Sequence, residues 1–177
     1  MVSVDDVRSL RETTGAGVME CKKALAECRG DADQAVKWLQ EKGMSKAAKK
    51  SGREASEGLI EAYIHNAGRL GVLVEINCET DFVARNEQFK QFAHDVAMHI
   101  AAAGPAYVNE DDVPEDLLSA LNKEEQATFM KEKVLMNQGF IRDESTPISQ
   151  FLTDMIAKTG ENIIIRRFAR FGLGQER

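Results

Sequence analysis

The sequence predicts an α+β protein in three parts: a three-helix domain at residues 1–43, a basic linker at 44–56, and a core at 57–177 of about three antiparallel strands covered by helices. Three observations lead to this division. Apolar residues recur every three or four positions in the first part, they alternate with a period of two from residue 57, and basic residues collect between the two patterns. Helical and strand segments that separate along a chain in this way favour the α+β class.

The first part is predicted to form three short helices, each with its own apolar stripe. The stripes consist of Val4, Val7 and Leu10, of Val18, Cys21, Leu25 and Cys28, and of Ala32, Ala35, Val36 and Leu39. Ser3 and Asp31 are the predicted N-caps of the first and third helices. Gly30 and Gly43 are predicted to end the second and the third. A bundle of this size has little core of its own, which favours a docking module over an enzyme.

The linker carries the main basic cluster of the chain, which consists of Lys46, Lys49, Lys50 and Arg53. Two interpretations are open: a solvated, partly helical spacer, or an electrostatic contact with RNA. No aromatic side chain lies among these cations to stack on a base, and the whole chain has a net charge of −6. The sequence therefore favours the spacer and keeps an RNA-associated adaptor as the alternative.

Residues 57–78 carry the signature of a β-hairpin. The segment GLIEAYIH is separated from LGVLVEIN by the turn residues NAGR. In the second strand the apolar side chains of Leu70, Val72, Val74 and Ile76 alternate with Gly71, Leu73, Glu75 and Asn77. One face is therefore wholly apolar and the other mixed, as in an antiparallel sheet with one covered face.

The clearest helix of the sequence covers residues 86–103. Asn86 is its predicted N-cap, and the pair Gly104 and Pro105 is predicted to stop it. One face of this helix is apolar, and it consists of Phe89, Phe92, Ala93, Val96, Ala97 and Ile100.

Three further helices and a last strand complete the predicted core. The segment DDVPEDLLSALN is predicted to be a short helix, and residues 123–138 a mostly charged one. The segment STPISQFLTDMIAKTG is predicted to be a helix with Thr146 as its cap and Pro147 at its first position. The segment ENIIIRRFARFGLG has the composition of a strand, and its arginines are expected on strand faces with packed stems.

Composition and cysteine usage suggest a cytoplasmic protein. Cys21, Cys28 and Cys78 form no C-x-x-C pair, and their odd number argues against a disulfide framework, so we expect reduced thiols. The first residues, MVSVDDVRSL, have neither the basic nor the apolar region of a signal peptide, and no segment is long and apolar enough to span a membrane.

The sequence contains no recognisable catalytic constellation, and we expect neither an enzyme nor a cofactor or metal site. There is no H-E-x-x-H, no G-x-S-x-G and no G-x-x-x-x-G-K-[ST] motif. His94 and His99 are five residues apart, a poor spacing for a shared ligand face on a helix, and both are expected at the surface or its boundary. His65, beside the predicted hairpin turn, is the histidine with the stronger claim to a function.

The segment ETDFVARNE, at residues 79–87, places an aromatic side chain where the chain leaves the sheet. An aromatic residue just before an amphipathic helix is usually a core residue. However, the apolar stripe of that helix starts only at Phe89, and the predicted cap Asn86 separates it from Phe82. Asp81 is a candidate cap for a separate short turn. The residues alone leave Phe82 undecided between the core, which they slightly favour, and an outward-facing position.

Several longer motifs resemble those of bacterial-type elongation factor Ts. They are NCETDFVARNEQF, LRETTGAGVMECKKAL, GDADQAVKWLQEKG, KAAKKSGREASEGLIEAYIH, RLGVLVEINC, YVNEDDVP and TGENIIIRRFARF, and they run in family order over nearly the whole chain. The resemblance implies a guanine-nucleotide exchange factor for elongation factor Tu. It also implies that the first 50 or so residues form a ubiquitin-associated-like head that docks on the GTPase domain of that partner.

The resemblance also implies which residues touch the partner. In the head these are Arg11, Val18, Met19 and Lys22. In the core they are Thr80, Asp81, Phe82 and Val83, where the phenyl ring enters between two GTPase helices and disturbs the Mg²⁺ site. His65 matches a family histidine that contacts the same partner, and Gly160 lies in the family's TGENI motif.

The chain departs from the longer pattern of the family. Long-form factors have two similar core halves and a helical hairpin insertion, whereas this sequence shows one copy of the core pattern and a compressed stretch at 117–145. A second subunit packed sheet to sheet around a two-fold axis would replace the missing half, so we expect a homodimer.

Overall fold

The computed structural model describes residues 2–175, which divide into two compact units. The first unit runs to Arg53 and includes Thr153–Asn162, and the second covers Glu54–Leu152 and the residues from Ile163 onward. Helices and small antiparallel sheets occur together, so the predicted α+β class is confirmed.

The first unit contains the three predicted N-terminal helices, α1 (Val4–Thr14), α2 (Val18–Glu27) and α3 (Ala32–Ala48). Both predicted caps are present: the Ser3 side chain accepts a hydrogen bond from the Asp6 amide, and the Asp31 side chain accepts one from the Gln34 amide. The apolar stripes meet in a small core formed by Leu10, Cys21, Ala24, Leu25 and Ala35.

The prediction that Gly43 ends the third helix is wrong. Helix α3 continues to Ala48, so the first residues of the predicted linker are helical. Gly43 is buried, and a Cβ atom added there would lie 3.8 Å from both Ala157 Cβ and Thr153 Cγ2. The glycine therefore lies inside the helix, where it faces Thr153 and Ala157 at ordinary contact distance, and it does not mark a helix end. The division of the chain at residues 43 and 56 stays a prediction.

The second unit contains the sheet and the helices that accompany it. In chain order its elements are β1 (Glu57–His65), β2 (Leu70–Cys78), α4 (Asp81–Ala84), α5 (Glu87–Ala103), α6 (Glu115–Ser119), α7 (Lys123–Lys133), β3 (Gly139–Phe140), β4 (Asp143–Pro147), the start of α8 (Ile148–Thr159), and β5 (Ile164–Gly172). Short 3-10 turns lie at Glu110–Asp112 and Leu135–Asn137.

The main sheet is antiparallel, as the alternating pattern predicts, and its strand order is β1-β2-β5. Val72, Val74 and Ile76 are buried beneath α5, whose whole predicted apolar stripe from Phe89 to Ile100 is also buried. The opposite face of the sheet carries Ile60, Ile64, Leu73 and Phe171, all of them exposed.

Two predictions for the region after residue 122 are wrong. The charged helix ends at Lys133 rather than at 138. Thr146 and Pro147 do not begin a helix but belong to β4, which pairs with β3 in a two-stranded ribbon, and α8 starts at Ile148. The carboxylate of Asp143 explains the difference in part, because it accepts a hydrogen bond from the Thr146 hydroxyl at 2.7 Å and so holds Thr146 in the ribbon.

The expected surface position of His99 is also wrong, since its side chain is 1% exposed. Its Nε2 lies 3.0 Å from Gln138 Oε1, and the Gln138 amide nitrogen donates to the Glu132 carbonyl at 2.6 Å. This pairing makes Nε2 the donor and leaves Nδ1 buried without a hydrogen-bond partner. Burial lowers the pKa of His99 below its ordinary value.

Candidate functional site

Phe82 lies on a single helical turn just after the central strand. Thr80 has an extended backbone and is the N-cap of α4, and its side-chain oxygen accepts a hydrogen bond from the Val83 amide at 3.5 Å. The Phe82 side chain is 81% exposed, so the structure places it outside the core. We call residues 80–85 the Phe82 turn.

The prediction that Asp81 caps this turn is wrong, because Thr80 does so. Asp81 instead occupies the first helical position, where a carboxylate is favoured by the helix dipole. Its Oδ2 lies 2.9 Å from Arg85 Nη2, one turn later. The ion pair joins the beginning of the Phe82 turn to its end.

The far end of the turn is fixed by helix α5. The Arg85 amide donates to the Asp81 carbonyl at 3.0 Å, which closes the turn. The next residue, Asn86, caps α5 as predicted, and its side chain accepts a hydrogen bond from the Gln88 amide at 2.8 Å. Phe89 then enters the core at 0% exposure. Phe82 is therefore exposed to solvent, whereas Phe89, seven residues later, is buried in the core.

Beneath the turn lies a contact that sequence reasoning missed. Cys78 is fully buried at the end of β2, and its thiol donates to the Thr80 carbonyl at 3.1 Å. The same carbonyl accepts from the Ala84 amide at 3.2 Å. No sequence pattern signals this bond, because it depends on how the chain bends after the strand.

His65 is exposed at the end of β1, as its position beside the hairpin turn suggests. Its Nδ1 lies 3.1 Å from the Tyr63 hydroxyl, and the two rings stack with centroids 5.9 Å apart. Tyr63 also meets His94 edge-on at 5.5 Å, and His94 Nδ1 lies 3.0 Å from Glu61 Oε1. The side chain of His65 is therefore held in place while its outer surface stays accessible.

The four head residues flank the turn between α1 and α2. Arg11 is in the last turn of α1, whereas Val18, Met19 and Lys22 are in the first two turns of α2. All four are exposed, and for the two apolar side chains the exposed fractions are 52% for Val18 and 74% for Met19. The opposite side of α2 faces the core of the unit. An exposed apolar pair flanked by cations is typical of a protein-binding surface.

Gly160, in the first unit, ends helix α8. It has a φ of 76°, its amide donates to the Ile156 carbonyl at 2.9 Å, and its own carbonyl accepts a hydrogen bond from Lys50 Nζ. The left-handed backbone explains the glycine structurally. The residue is exposed, so this role leaves room for a partner contact as well.

Residues 2–175 contain neither a metal-binding cluster nor a membrane-spanning helix. No group of three or more His, Cys, Asp and Glu side chains in that range is arranged to hold a metal ion. No helix there is both long and apolar enough to cross a bilayer. What the described residues do present are two exposed surfaces suited to binding a protein: the Phe82 turn and the α1–α2 end of the head.

Comparison with known proteins identifies one family. The family described as "Elongation factor TS" matches residues 18–128, more than half of the chain. Elongation factor Ts of Caldanaerobacter subterraneus subsp. tengcongensis is 49% identical over 196 residues, covering 99% of this chain and 98% of the relative. That of Carboxydothermus hydrogenoformans is also 49% identical, covering 99% and 90%. That of Desulfosudis oleivorans is 46% identical, covering 98% of each.

The alignment to the Caldanaerobacter protein spans 196 residues, whereas this chain has 177, so that relative contains segments with no counterpart here. The alignment nevertheless covers 99% of this chain and therefore spans both units. The chain therefore belongs to the elongation factor Ts family, a family of elongation factors of protein synthesis.

Proposed function

We propose that this chain is a guanine-nucleotide exchange factor that promotes GDP release from elongation factor Tu in the cytoplasm. The observation that carries the proposal is the exposure of Phe82, which is 81% accessible on a turn held at both ends. A large apolar side chain in that position has little role in folding and is available for burial against a partner.

In the proposed mechanism the Phe82 ring enters between two helices of the GTPase domain, and Thr80, Asp81 and Val83 line the contact around it. Mg²⁺ in GTPases bridges the phosphates and is held by few protein ligands, so a small shift of the surrounding helices weakens both metal and nucleotide. The coupling is reciprocal, because GDP weakens the binding of the factor as much as the factor weakens that of GDP.

The head supplies the second part of the binding energy. Burial of one phenylalanine contributes about 1.5–3 kcal/mol, and each tenfold change in affinity corresponds to about 1.4 kcal/mol. The ring alone therefore accounts for about one to two decades of nucleotide weakening. We assign docking on the GTPase domain to Arg11, Val18, Met19 and Lys22, whose apolar members are exposed in the free chain.

His65 and Gly160 complete the proposed contacts. His65 is exposed and held by Tyr63, which gives it a fixed direction before the partner arrives. The backbone of Gly160 is exposed at the end of α8, and with no side chain it allows close approach.

The direct test is the release of fluorescent GDP from purified elongation factor Tu, with and without this chain. We expect acceleration at micromolar concentration, and equal release rates with and without the chain would refute the proposed function. Complex formation should also be reversed by excess GDP in gel filtration, as the reciprocal coupling requires.

An RNA-associated adaptor using the basic cluster is the second candidate, and the structure gives it little support. Lys46 forms an ion pair with Glu20, and Lys50 donates to the Gly160 carbonyl. These two cations are therefore already engaged within their own unit. Salt-sensitive RNA binding that is lost on charge reversal in the basic cluster would restore this candidate.

We further propose a homodimer that buries the uncovered face of the main sheet. Three cross-strand rows make up this outer sheet face: Ile60, Glu75 and Arg167; Ala62, Leu73 and Ala169; and Ile64, Gly71 and Phe171. Its large apolar members are 47–66% exposed, which is unusual for a sheet face in a monomer. Light scattering at tens of micromolar tests this, and a monomer mass would refute it.

A further inference from the structure

The direction in which Phe82 projects cannot be set by its own contacts, because most of the side chain is exposed. It must follow from the two ends of the Phe82 turn, which are helix α5 on one side and the end of β2 on the other. Two consecutive residues there have buried polar groups: Asn77, which is 7% exposed, and Cys78, which is 0% exposed. The bonds of Asn77 reach beyond its own strand and therefore connect the root of the turn to the rest of the sheet.

Asn77 uses both ends of its amide. Its nitrogen donates to the Glu57 carbonyl on β1 at 3.2 Å and to Glu75 Oε1 at 3.4 Å. Its oxygen accepts from Nε of Arg166 at 2.6 Å. A hydrogen bond from a charged donor is stronger than one between neutral groups, so the Arg166 contact is the strongest of the three.

Arg166 reaches Asn77 because of an irregularity in the sheet. Arg167 pairs with Glu75 and Ile165 with Ile76, so Arg166 is the extra residue of a β-bulge between β5 and β2. Its Nη2 also donates to the carbonyl of Ala55, just before β1, at 3.1 Å. One guanidinium thus joins three segments: the bulge in β5, the end of β2, and the chain entering β1.

We propose that Arg166 is a positioning residue for nucleotide exchange, acting through Asn77 to fix the direction of the Phe82 turn. The inference rests on the exchange function proposed above and adds a residue to it that touches neither the partner nor Phe82. Removal of the guanidinium leaves the buried Asn77 oxygen without this donor and weakens the hold on the last residues of β2, which keep their backbone pairing with β1 and β5. Phe82 then samples directions that do not fit the gap in the partner, while the head surface is unchanged.

The chain offers a matched control one residue away. Arg167 is also an arginine of β5, its Nε binds Glu75 Oε2 at 2.7 Å, and its side chain is 78% exposed. The variants Arg166→Met and Arg167→Met remove the same charge and keep a similar stem, but only the first removes a bond to Asn77.

The first measurement uses the free protein and does not depend on the exchange function. We expect amide hydrogen exchange at Val83, Ala84 and Arg85 to become about tenfold faster in Arg166→Met, the effect of losing one charge-assisted hydrogen bond, and to stay unchanged in Arg167→Met. Equal exchange in wild type and Arg166→Met would overturn the positioning role even if the wild-type chain proves to be an active exchange factor.

The second measurement is the rate of GDP release from elongation factor Tu as a function of factor concentration. We expect Arg166→Met to lower the maximal rate about tenfold and to leave the half-saturating concentration within about twofold, because docking by the head is intact. A purely structural role would lower the melting temperature without changing the maximal rate of the folded protein, and that result would refute the inference.

The two measurements distinguish a failure of the exchange function from a failure of the positioning role. If wild type does not accelerate release, the exchange function fails, whereas an unchanged maximal rate in Arg166→Met beside an active wild type refutes only the inference. If circular dichroism shows Arg166→Met to be unfolded, Arg166→Lys, which keeps the charge but not the two-sided geometry, replaces it. For Arg166→Lys we expect faster amide exchange in the Phe82 turn and a lower maximal rate of GDP release, both smaller in size than in Arg166→Met. Wild-type values for both measurements would refute the inference.

Discussion

Truncation of Phe82 should separate exchange from stability. The side chain is 81% exposed, so only about a fifth of its surface is buried in the free chain. Full burial of a phenylalanine is worth about 1.5–3 kcal/mol, and a fifth of that is about 0.3–0.6 kcal/mol. Alanine is the better helix former by a few tenths of a kcal/mol, which offsets part of the loss. We therefore expect Phe82→Ala to leave the free energy of unfolding unchanged within about 0.5 kcal/mol.

The same substitution should have a large effect on exchange. In the proposed complex the whole ring is buried, so its removal would forfeit about 1.5–3 kcal/mol of coupling, or about 10- to 100-fold in the rate of GDP release at a given factor concentration. Urea unfolding followed by circular dichroism measures the first quantity, and release of fluorescent GDP measures the second.

Phe89→Ala is the matched control for this pair of measurements. Phe89 lies seven residues later in the chain and is 0% exposed, so its truncation should cost about 3–5 kcal/mol of stability. If Phe82→Ala destabilised the chain by a similar amount, Phe82 would be a core residue and the reasoning from its exposure would be refuted. Full exchange activity in a folded Phe82→Ala protein would refute its role in exchange.

Three further outcomes follow from other parts of the chain. Met19→Asp should raise the half-saturating concentration for exchange at least tenfold and leave the maximal rate unchanged. Met44→Asp, at another exposed methionine of the same unit, should change neither quantity. Gly43→Ala should raise the free energy of unfolding, measured in urea, by up to about 1 kcal/mol, because the new Cβ meets only ordinary contacts at 3.8 Å. Gly58→Ala should lower the same free energy by more than about 2 kcal/mol, because its Cβ would lie 2.1 Å from the Ile76 carbonyl oxygen. Because the pKa of buried His99 is lowered, the unfolded chain binds a proton at this group more readily than the folded chain does. The free energy of unfolding should therefore fall as pH drops below the ordinary pKa of 6.5, and it should not change for this reason above that value. His99→Gln should flatten this pH dependence, and an unchanged slope would contradict the assignment.

The parts of the fold that were predictable from sequence depend on local periodicity. The stripe from Phe89 to Ile100 and the alternation from Val72 to Ile76 each specify one buried face within a single element, and both faces are buried as predicted. The caps at Ser3 and Asn86 are equally local, since each is satisfied within three residues.

Two of the failures have the opposite property, because each depends on a residue far away in the sequence. Gly43 looks like a helix end until its neighbours Thr153 and Ala157, more than a hundred residues later, are known. The burial of His99 depends on Gln138, which is 39 residues further along the chain. The ribbon of β3 and β4 is too short, with 2 and 5 residues, to show a period of two.

The candidate site also has features that local sequence patterns predict and features that depend on distant residues. The cap at Asn86 and the apolar stripe that starts at Phe89 weaken the case for Phe82 as a core residue, but they do not decide its position. Its exposure in the structure does. The bridge from Arg166 to Asn77 spans 89 residues and requires a bulge that no motif in the sequence announces.

The exposure of Phe82 in the free chain has an energetic consequence for exchange. If the ring were buried before the partner arrived, its release would cost the same 1.5–3 kcal/mol, roughly, that burial in the partner returns, and the net coupling to GDP would be close to zero. A ring already held in solvent by a capped turn incurs no such cost, and in the proposed mechanism the whole burial energy is available to weaken nucleotide binding. Fixing the turn in advance also avoids the entropy loss of ordering it in the complex. A substitution that lets Phe82 fold back onto its own chain should therefore impair exchange even though every contact residue is retained.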